Sequence, residues 1–530
     1  MRMFIVALAL SIACGCIDSP PALADTYIIT LDSAARSEPA TGRVILFFIT
    51  EQGRRWTRRE PIEAPFFESP QPIASIAVKD FKPGDSVQVD GSLPAFPQPL
   101  DKLSGTVRVQ ALLDADQTER SHEQGPGNVA SEVMNVDLSA DKHDTVRITL
   151  TRRIEGPAAR TDSPNLKWVR LRSEMLSAFY GRDVYHRAGV ALPKPYNDPN
   201  WPRQQWPAIY VIPGFGGRDD GAEEYAAMLT LAPKIEEIAP IAVYIVLDPE
   251  APLGHHGFAD SANNGPRATA LVKEFIPYLE SQFRLVAKPE ARLVTGHSSG
   301  GWSSLWLQLN HPAVFGGCWS SAPDPIDFSA FQMTDLDRDA NSFADGSGAE
   351  TPSYRCIVDS TLVAKPTMTV RQEVSMETAI DPDGRCGQQW AAWNAMFSPR
   401  DPATGLPMPM FDARSGAINR NIVREWAKFD ITKMVSEDWN RFGPIVLNKM
   451  HLACGEEDSY YLNRAVERFS AAVEKLRGEA RGEGYVLLVP GANHDALTAR
   501  IFMRWNDEMR KHLQWHGLQD ADVPAKKSIR

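Results

Sequence analysis

The chain has 530 residues, enough for two or three domains, and its 43% hydrophobic and 23% charged content is that of an ordinary globular protein with a sizeable core. A net charge of −11 argues against nucleic acid and anionic membrane surfaces as partners. The 40 prolines favour loops and strand edges over long helical arrays.

Residues 1–24 read as an export signal. Arg2 gives a positive start, 4–17 is almost wholly apolar, and Ala22-Leu23-Ala24 is a cleavage site of the A-x-A kind. The apolar run is too short to span a bilayer comfortably, and no later segment reaches 18 apolar residues, so no stable membrane insertion is expected. The expected location is periplasmic or extracellular. A lipid anchor at Cys14 or Cys16 fits less well, because Ser11 rather than Leu stands three residues before Cys14. Beyond the signal lie Cys318, Cys356, Cys386 and Cys454. In an oxidising compartment Cys356 and Cys386, both in a loop-rich region, are candidates for a disulfide. Cys318 and Cys454 sit in apolar strand-like runs and are expected as buried thiols. No Cys-x-x-Cys or His/Cys spacing points to zinc, and no metal or organic cofactor is implied.

Residues 25–160 read as a small all-β sandwich. Short β-branched or alternating runs at 27–31, 43–49, 73–78, 107–113 and 145–150 are separated by Pro, Gly, Asp and Ser clusters. The segment is too small for a propeller and shows no catalytic constellation, so an accessory or packing role is expected. A linker over 155–166 follows. Residues 161–517 alternate between strands and helices. Strands are predicted at 169–171, 183–192, 208–212, 241–247, 293–294, 315–320, 450–453 and 485–489. Helices are predicted at 225–238, 269–283, 302–310, 462–476 and 496–512. That alternation predicts an α/β fold, a doubly wound and mostly parallel sheet covered by helices. The stretch 327–441 is too long for a structureless loop and is read as a cap insertion, with helical pieces near 388–396 and 422–428 and irregular chain at 351–371 and 399–416. Residues 518–530 form a tail.

The chemistry centres on 293–302, where a β-type run leads into Gly296-His297-Ser298-Ser299-Gly300 and then a helical pattern. This is the layout of a nucleophile elbow, a serine on a tight strand-to-helix turn. The three fixed positions alone would occur by chance about 0.2 times in such a chain. An acid and a histidine in hydrolase order add weight. Asp458 follows the strand at 450–453, and His494 follows the strand at 485–489 in a Gly-containing turn. A serine hydroxyl needs a base, and the base needs an acid to fix its tautomer. Asp458 can instead be a helix cap, with Glu456 or Glu457 supplying the acid. The backbone N–H groups of Ser299 and Phe215 are the candidates for an oxyanion hole, with Gly214 an alternative to Phe215. The loop at 213–217 lacks the lysine and spacing of a phosphate-binding loop. A polar stretch at 253–265 follows the strand at 241–247, and His255, His256, Asp260, Asn263 and Asn264 are candidates for substrate contact.

These motifs, together with the loop at 210–217 and Phe315-Gly316-Gly317-Cys318-Trp319-Ser320-Ser321-Ala322-Pro323, resemble the esterase D-like family of α/β-hydrolases over residues 167 to about 515. The resemblance implies Ser298 as nucleophile, Asp458 as acid and His494 as base. A preceding β-sandwich is similar to the arrangement in enterochelin-type members, whereas the long cap departs from the compact ones. The expected function is an exported serine esterase acting on a small-molecule or glycan-linked ester. The rival readings are an acyltransferase of the mycolyltransferase type, a non-catalytic binding protein on a hydrolase scaffold, and a peptidase with a β domain before its hydrolase domain.

Overall fold

The computed structural model describes residues 26–519, apart from 52, 54–57, 65–66, 68, 139–144, 202–203, 232–238 and 358–362. The segment expected as an export signal, with Cys14 and Cys16, and most of the expected C-terminal tail lie outside the described residues. So does the end of the helix expected at 225–238, which is described as Ala222–Leu231.

The N-terminal strands are β1 (Thr26–Leu31), β2 (Ala40–Ile49), β3 (Ile73–Phe81), β4 (Ser86–Val89), β5 (Ala95–Phe96), β6 (Gly105–Asp114), β7 (Val129–Ser131), β8 (Met134–Leu138) and β9 (Thr145–Arg153). They join in one hydrogen-bonded path, β4-β1-β9-β7-β6-β2-β3-β5, with β8 also on β6. Tyr27 of β1 and Phe48 of β2 are separated by three strands along that path, yet their rings meet edge to face at 5.4 Å. The sheet therefore folds over its inner face into the two layers expected of a sandwich. β9 alternates between buried and exposed residues, as a strand with one wet face must. β2 does not: Val44 to Ile49 are all buried. Val44, Leu46 and Phe48 fill the sandwich core, while Ile45, Phe47 and Ile49 point the other way into a second cluster.

The second sheet comprises β10 (Leu166–Arg172), β11 (Tyr185–Ala191), β12 (Ala208–Ile212), β13 (Val243–Leu247), β14 (Arg292–His297), β15 (Gly317–Ser321), β18 (Met450–Gly455) and β19 (Tyr485–Val489). A hairpin in the cap, β16 (Pro352–Ile357) with β17 (Ala364–Thr369), lies between them in sequence. The order is β10-β11-β13-β12-β14-β15-β18-β19. The pairings β10/β11 and β11/β13 are antiparallel and the rest parallel, which is an α/β-hydrolase sheet. β12 and β13 are buried at every residue, as their uninterrupted apolar runs require of strands covered on both faces, and β18 is buried throughout with His451 included. Five helices serve the site: α1 (Ser299–Asn310), α2 (Val370–Ile380), α3 (Gln389–Phe397), α4 (Asn463–Arg477) and α5 (His494–Trp515).

The cap is more ordered than its sequence suggests. Residues expected as irregular form the β16–β17 hairpin and the start of α2. The helix is announced by a capping box: Thr369 Oγ1 accepts from Gln372 N at 3.3 Å, and Gln372 Oε1 accepts from Thr369 N at 2.9 Å. Met376, Ala379 and Ile380 of α2 join Ile45, Phe47 and Ile49 of β2 in one apolar cluster, and α2 lies along β3 and β5, so the outer face of the N-terminal sheet is the seat of the cap.

The disulfide expected between Cys356 and Cys386 is not formed; both are free thiols. Cys386 is buried with its Sγ 3.6 Å from Glu377 Oε2, while Cys356, on β16, has its Sγ 3.7 Å from Thr367 Oγ1 across the hairpin. The hairpin register and the burial beneath α2 give the two thiols different surroundings. Cys318 and Cys454 are buried thiols, as expected.

Because Phe47 is fully buried on the outer face of the sheet, stacked on His122 at 4.9 Å, Phe47→Ala is expected to cost about 3–5 kcal/mol, measured as a lowered midpoint in urea or thermal denaturation.

Candidate active site

The turn between β14 and α1 has almost no free space. A Cβ on Gly296 would lie 2.1 Å from Gly300 O, and one on Gly300 would lie 2.0 Å from Ile212 O. Only glycine fits at either position, which is the physical content of the Gly-x-Ser-x-Gly pattern. Between them Ser298 holds φ 58° and ψ −124°, a strained conformation for a residue with a side chain. It is kept there by three backbone bonds. Ser298 N donates to Ser321 O at 2.9 Å, and Ser298 O accepts from Trp302 N at 3.0 Å and Asp324 N at 3.2 Å.

The loop after β12 runs directly over this serine. A Cβ on Gly214 would meet Ser298 Cβ at 3.1 Å, and Gly214 and Phe215 line the same cavity as Ser298. The loop is fixed from below by His255. Gly257 N donates to His255 Nδ1 at 3.1 Å, so the ring proton is on Nε2, which donates to Pro213 O at 3.1 Å. Burial pushes the His255 pKa down to about 4, so the ring is neutral. From above, the guanidinium of Arg120, carried on the loop after β6, lies 4.9 Å from the Phe215 ring centroid and pairs with Glu250.

The acid and the histidine meet past the ends of β18 and β19. His494 Nδ1 and Asp458 Oδ2 are 2.7 Å apart, and both residues are buried. Asp458 Oδ1 accepts from Tyr460 N at 2.9 Å and Leu462 N at 3.1 Å, so one carboxylate both caps the turn into α4 and faces the histidine. Burial alone would raise Asp458, but His494 and the two backbone donors outweigh it and hold the carboxyl below its usual range. Burial would likewise lower His494, but Asp458 outweighs it and lifts the imidazole above its ordinary value. Glu456 and Glu457 are exposed, and Glu457 pairs with Arg355 at 3.2 Å, so neither sits at the histidine.

Ser298, His494, Gly214 and Phe215 share a cavity of about 350 Å³. The five residues expected to touch substrate from 253–265 are not among its lining, and that expectation is corrected. His255, His256, Asn263 and Asn264 are at most 2% exposed, because the loop is tucked beneath the cap. His255 braces Pro213, His256 Nδ1 accepts from Phe258 N, and Asn263 Nδ2 donates to Ser398 O at 2.9 Å. Asp260 accepts from Thr269 N at 3.0 Å and borders a separate hollow of about 410 Å³.

Several lining residues had no motif to announce them. Asp324, just past β15, accepts from Ser299 Oγ at 2.7 Å and Trp393 Nε1 at 2.8 Å, tying the first turn of α1 to α3 of the cap. Burial raises its pKa, and those two donors restrain the rise. Phe67 comes from the N-terminal region and packs edge to face on Tyr354 at 5.1 Å. Glu373, Met376 and Glu377 come from α2. The capping box at Thr369 could have revealed that helix; nothing local could have revealed Phe67.

A mostly parallel sheet with a strained serine at a strand-to-helix turn, and a buried histidine–carboxylate pair beyond its edge, defines the α/β-hydrolase class. Residues 185–401 match the family model described as putative esterase, and that match together with this site makes the chain an enzyme of the serine-hydrolase type acting on esters. Among solved structures, a ferulic acid esterase is similar at 14% identity over 66% of this chain and 97% of its own, with a TM-score of 0.41. A ferulic acid esterase from Anaeromyces mucronatus in complex with ferulic acid gives 14% identity, 67% and 94% coverage and a TM-score of 0.34. An S-formylglutathione hydrolase from Agrobacterium tumefaciens gives 14%, 67% and 96%, and 0.35. No curated protein matches the chain in sequence.

The contact between Gly300 and Ile212 O leaves no room for a methyl group. Gly300→Ala is expected to destabilise by about 3 kcal/mol or more, read in chemical denaturation against the wild type.

Proposed function

We propose that the chain hydrolyses a carboxylic ester through an acyl-enzyme, with Ser298 as nucleophile, His494 as base and Asp458 as the acid that orients it. The observation that carries this reading is the buried 2.7 Å contact between His494 and Asp458 beside a cavity that also exposes Ser298 on its strained turn. Asp458 occupies Nδ1 of the imidazole, which leaves Nε2 to take the Ser298 proton as Oγ bonds to the ester carbonyl carbon. The carbonyl oxygen becomes an oxyanion, received by the backbone N–H groups of Phe215 and Ser299. Collapse breaks the ester C–O bond, and the leaving alkoxide takes the proton from His494. A water molecule, deprotonated by His494 in turn, attacks the acyl-enzyme and releases the acid with Ser298 restored. Residues 1–24 have the pattern of an export signal, which supports a periplasmic or extracellular enzyme, and we take its substrate to be a small-molecule or glycan-linked ester.

Ser298→Ala is expected to lower p-nitrophenyl acetate hydrolysis by at least about a thousandfold and to abolish fluorophosphonate labelling. Labelling of that variant at wild-type level sinks the assignment. Asp458→Asn should cost about 10⁴ in kcat while the protein stays folded, because the imidazole loses its tautomer and its counter-charge.

The pH dependence follows from the raised His494 pKa. The reactive form is neutral imidazole, so kcat/KM for an uncharged ester should fall as the pH drops through a midpoint above 6.5. In Asp458→Asn the support for the cation is gone, and the midpoint should move down. A titration of kcat/KM in both proteins measures the difference.

A further inference from the structure

One wall of the cavity takes no part in the ester chemistry. Glu373 and Glu377 lie one turn apart on α2, line the cavity, and are only 5% and 6% exposed. Their situations differ. Glu377 accepts from Trp390 N at 2.8 Å and Ala391 N at 3.0 Å and so caps the first turn of α3. Glu373 Oε2 has no hydrogen-bond partner. Nor has Gln332 Oε1, which lines the same cavity at 2% exposure. The Ser353 hydroxyl and the Trp390 indole N–H stand beside Glu373 and ease its ionisation without closing hydrogen bonds to it. Buried acceptors without donors are costly, and native structures rarely keep them without a use.

The rest of the lining indicates the missing donor. Among the described residues no lysine or arginine lines the cavity, while Asp324, Glu377 and Asp495 do. Phe67, Trp393 and Tyr460 add aromatic rings, whose faces attract cations. A hydroxyl has a single proton to donate. A protonated amine has several and carries the charge this wall lacks, while burial keeps His297 of the lining neutral and His494 is neutral in its reactive form. We propose that the wall receives a protonated amine carried by the ester substrate, with Glu373 as its counter-charge and Gln332 Oε1 as a second acceptor. This deepens the serine-esterase reading and rests on it.

The titratable groups facing Glu373 are Glu377 on its own helix and Tyr460 from the turn before α4, with Tyr354 of β16 next to Tyr460. None of them is a cation. Burial lifts Glu373 to about 7 and Glu377 to about 8, so Glu373 is the first of the two to ionise as pH rises. An aliphatic amine stays protonated across this range. Preference for the amine should therefore grow with pH, as the counter-charge appears.

The test uses two matched pairs on the full chain: p-nitrophenyl ε-aminohexanoate against p-nitrophenyl heptanoate, and ω-aminohexyl acetate against heptyl acetate. The first pair carries the amine on the acyl part and the second on the alcohol part. In at least one pair kcat/KM for the amine should exceed that of its neutral partner by about tenfold at about pH 8.5, chiefly through KM, and the ratio should shrink towards one near pH 6. The neutral partner removes the His494 titration from the ratio. In Glu373→Gln the ratio should fall towards one and lose its pH dependence. A wild type that hydrolyses the neutral members but shows no preference in either pair overturns the inference and leaves the esterase reading standing. A preference undiminished in folded Glu373→Gln also overturns it. Hydrolysis of none of the four compounds overturns both.

Discussion

The constraint on which the site depends is a contact between two pieces of backbone. Gly300, in the first turn of α1, lies against the carbonyls of Ile212 and Pro213 so tightly that a Cβ would come within 2.0 and 2.5 Å of them. This contact locks the helix that carries the Ser299 N–H to the loop that carries Phe215. Two halves of a prospective oxyanion site, 84 residues apart in sequence by the difference of their numbers, become one rigid body. His255 grips the same Pro213 carbonyl from the other side, as a neutral donor. Preorganised donors are effective because they need not move when charge develops. Close packing at glycine and a buried imidazole supply that rigidity here.

The charges around this body are arranged in tiers. Asp458 is fully buried and ionised, a costly state sustained by the imidazole and by two backbone donors. Asp324, also buried, is held by Ser299 and Trp393 and links the elbow to the cap. At the interface with the N-terminal sheet, burial works to raise Glu119, but Arg187 at 2.7 Å and Arg218 at 3.1 Å outweigh it and hold the carboxyl down. Arg218 also reaches Asp248 at 2.8 Å, so the end of β13 is tied into the same network.

Much of this was legible in the sequence, and the parts that were not share a cause. The central strands β12 and β13 show as unbroken apolar runs because burial on both faces leaves no polar positions, and the elbow shows because its glycines are sterically obligatory. Asp458 and His494 were legible from their order and from the turns that hold them. The loop at 253–265 misled because histidine and asparagine look alike in sequence whether they meet substrate or brace backbone; here they brace Pro213 and Ser398. A cysteine pair was suggested by local composition, but the hairpin register and the burial of Cys386 under α2 gave the two thiols separate settings. Phe67 and Glu373 gain their roles only when distant segments meet, and no local periodicity records that meeting.

The double-sided burial of β2 has a consequence for how this chain can be divided. Ile45, Phe47 and Ile49 share one apolar cluster with Met376, Ala379 and Ile380, so parting the sandwich from the cap would strip cover from both sides of it. Each half cut free would present a greasy stripe to water and tend to stick to its neighbours rather than remain dispersed. The smallest piece that keeps the pocket's shape is therefore the pair of sheets together. Shuffling of cap and sandwich between relatives would have to carry both sides of that seam at once.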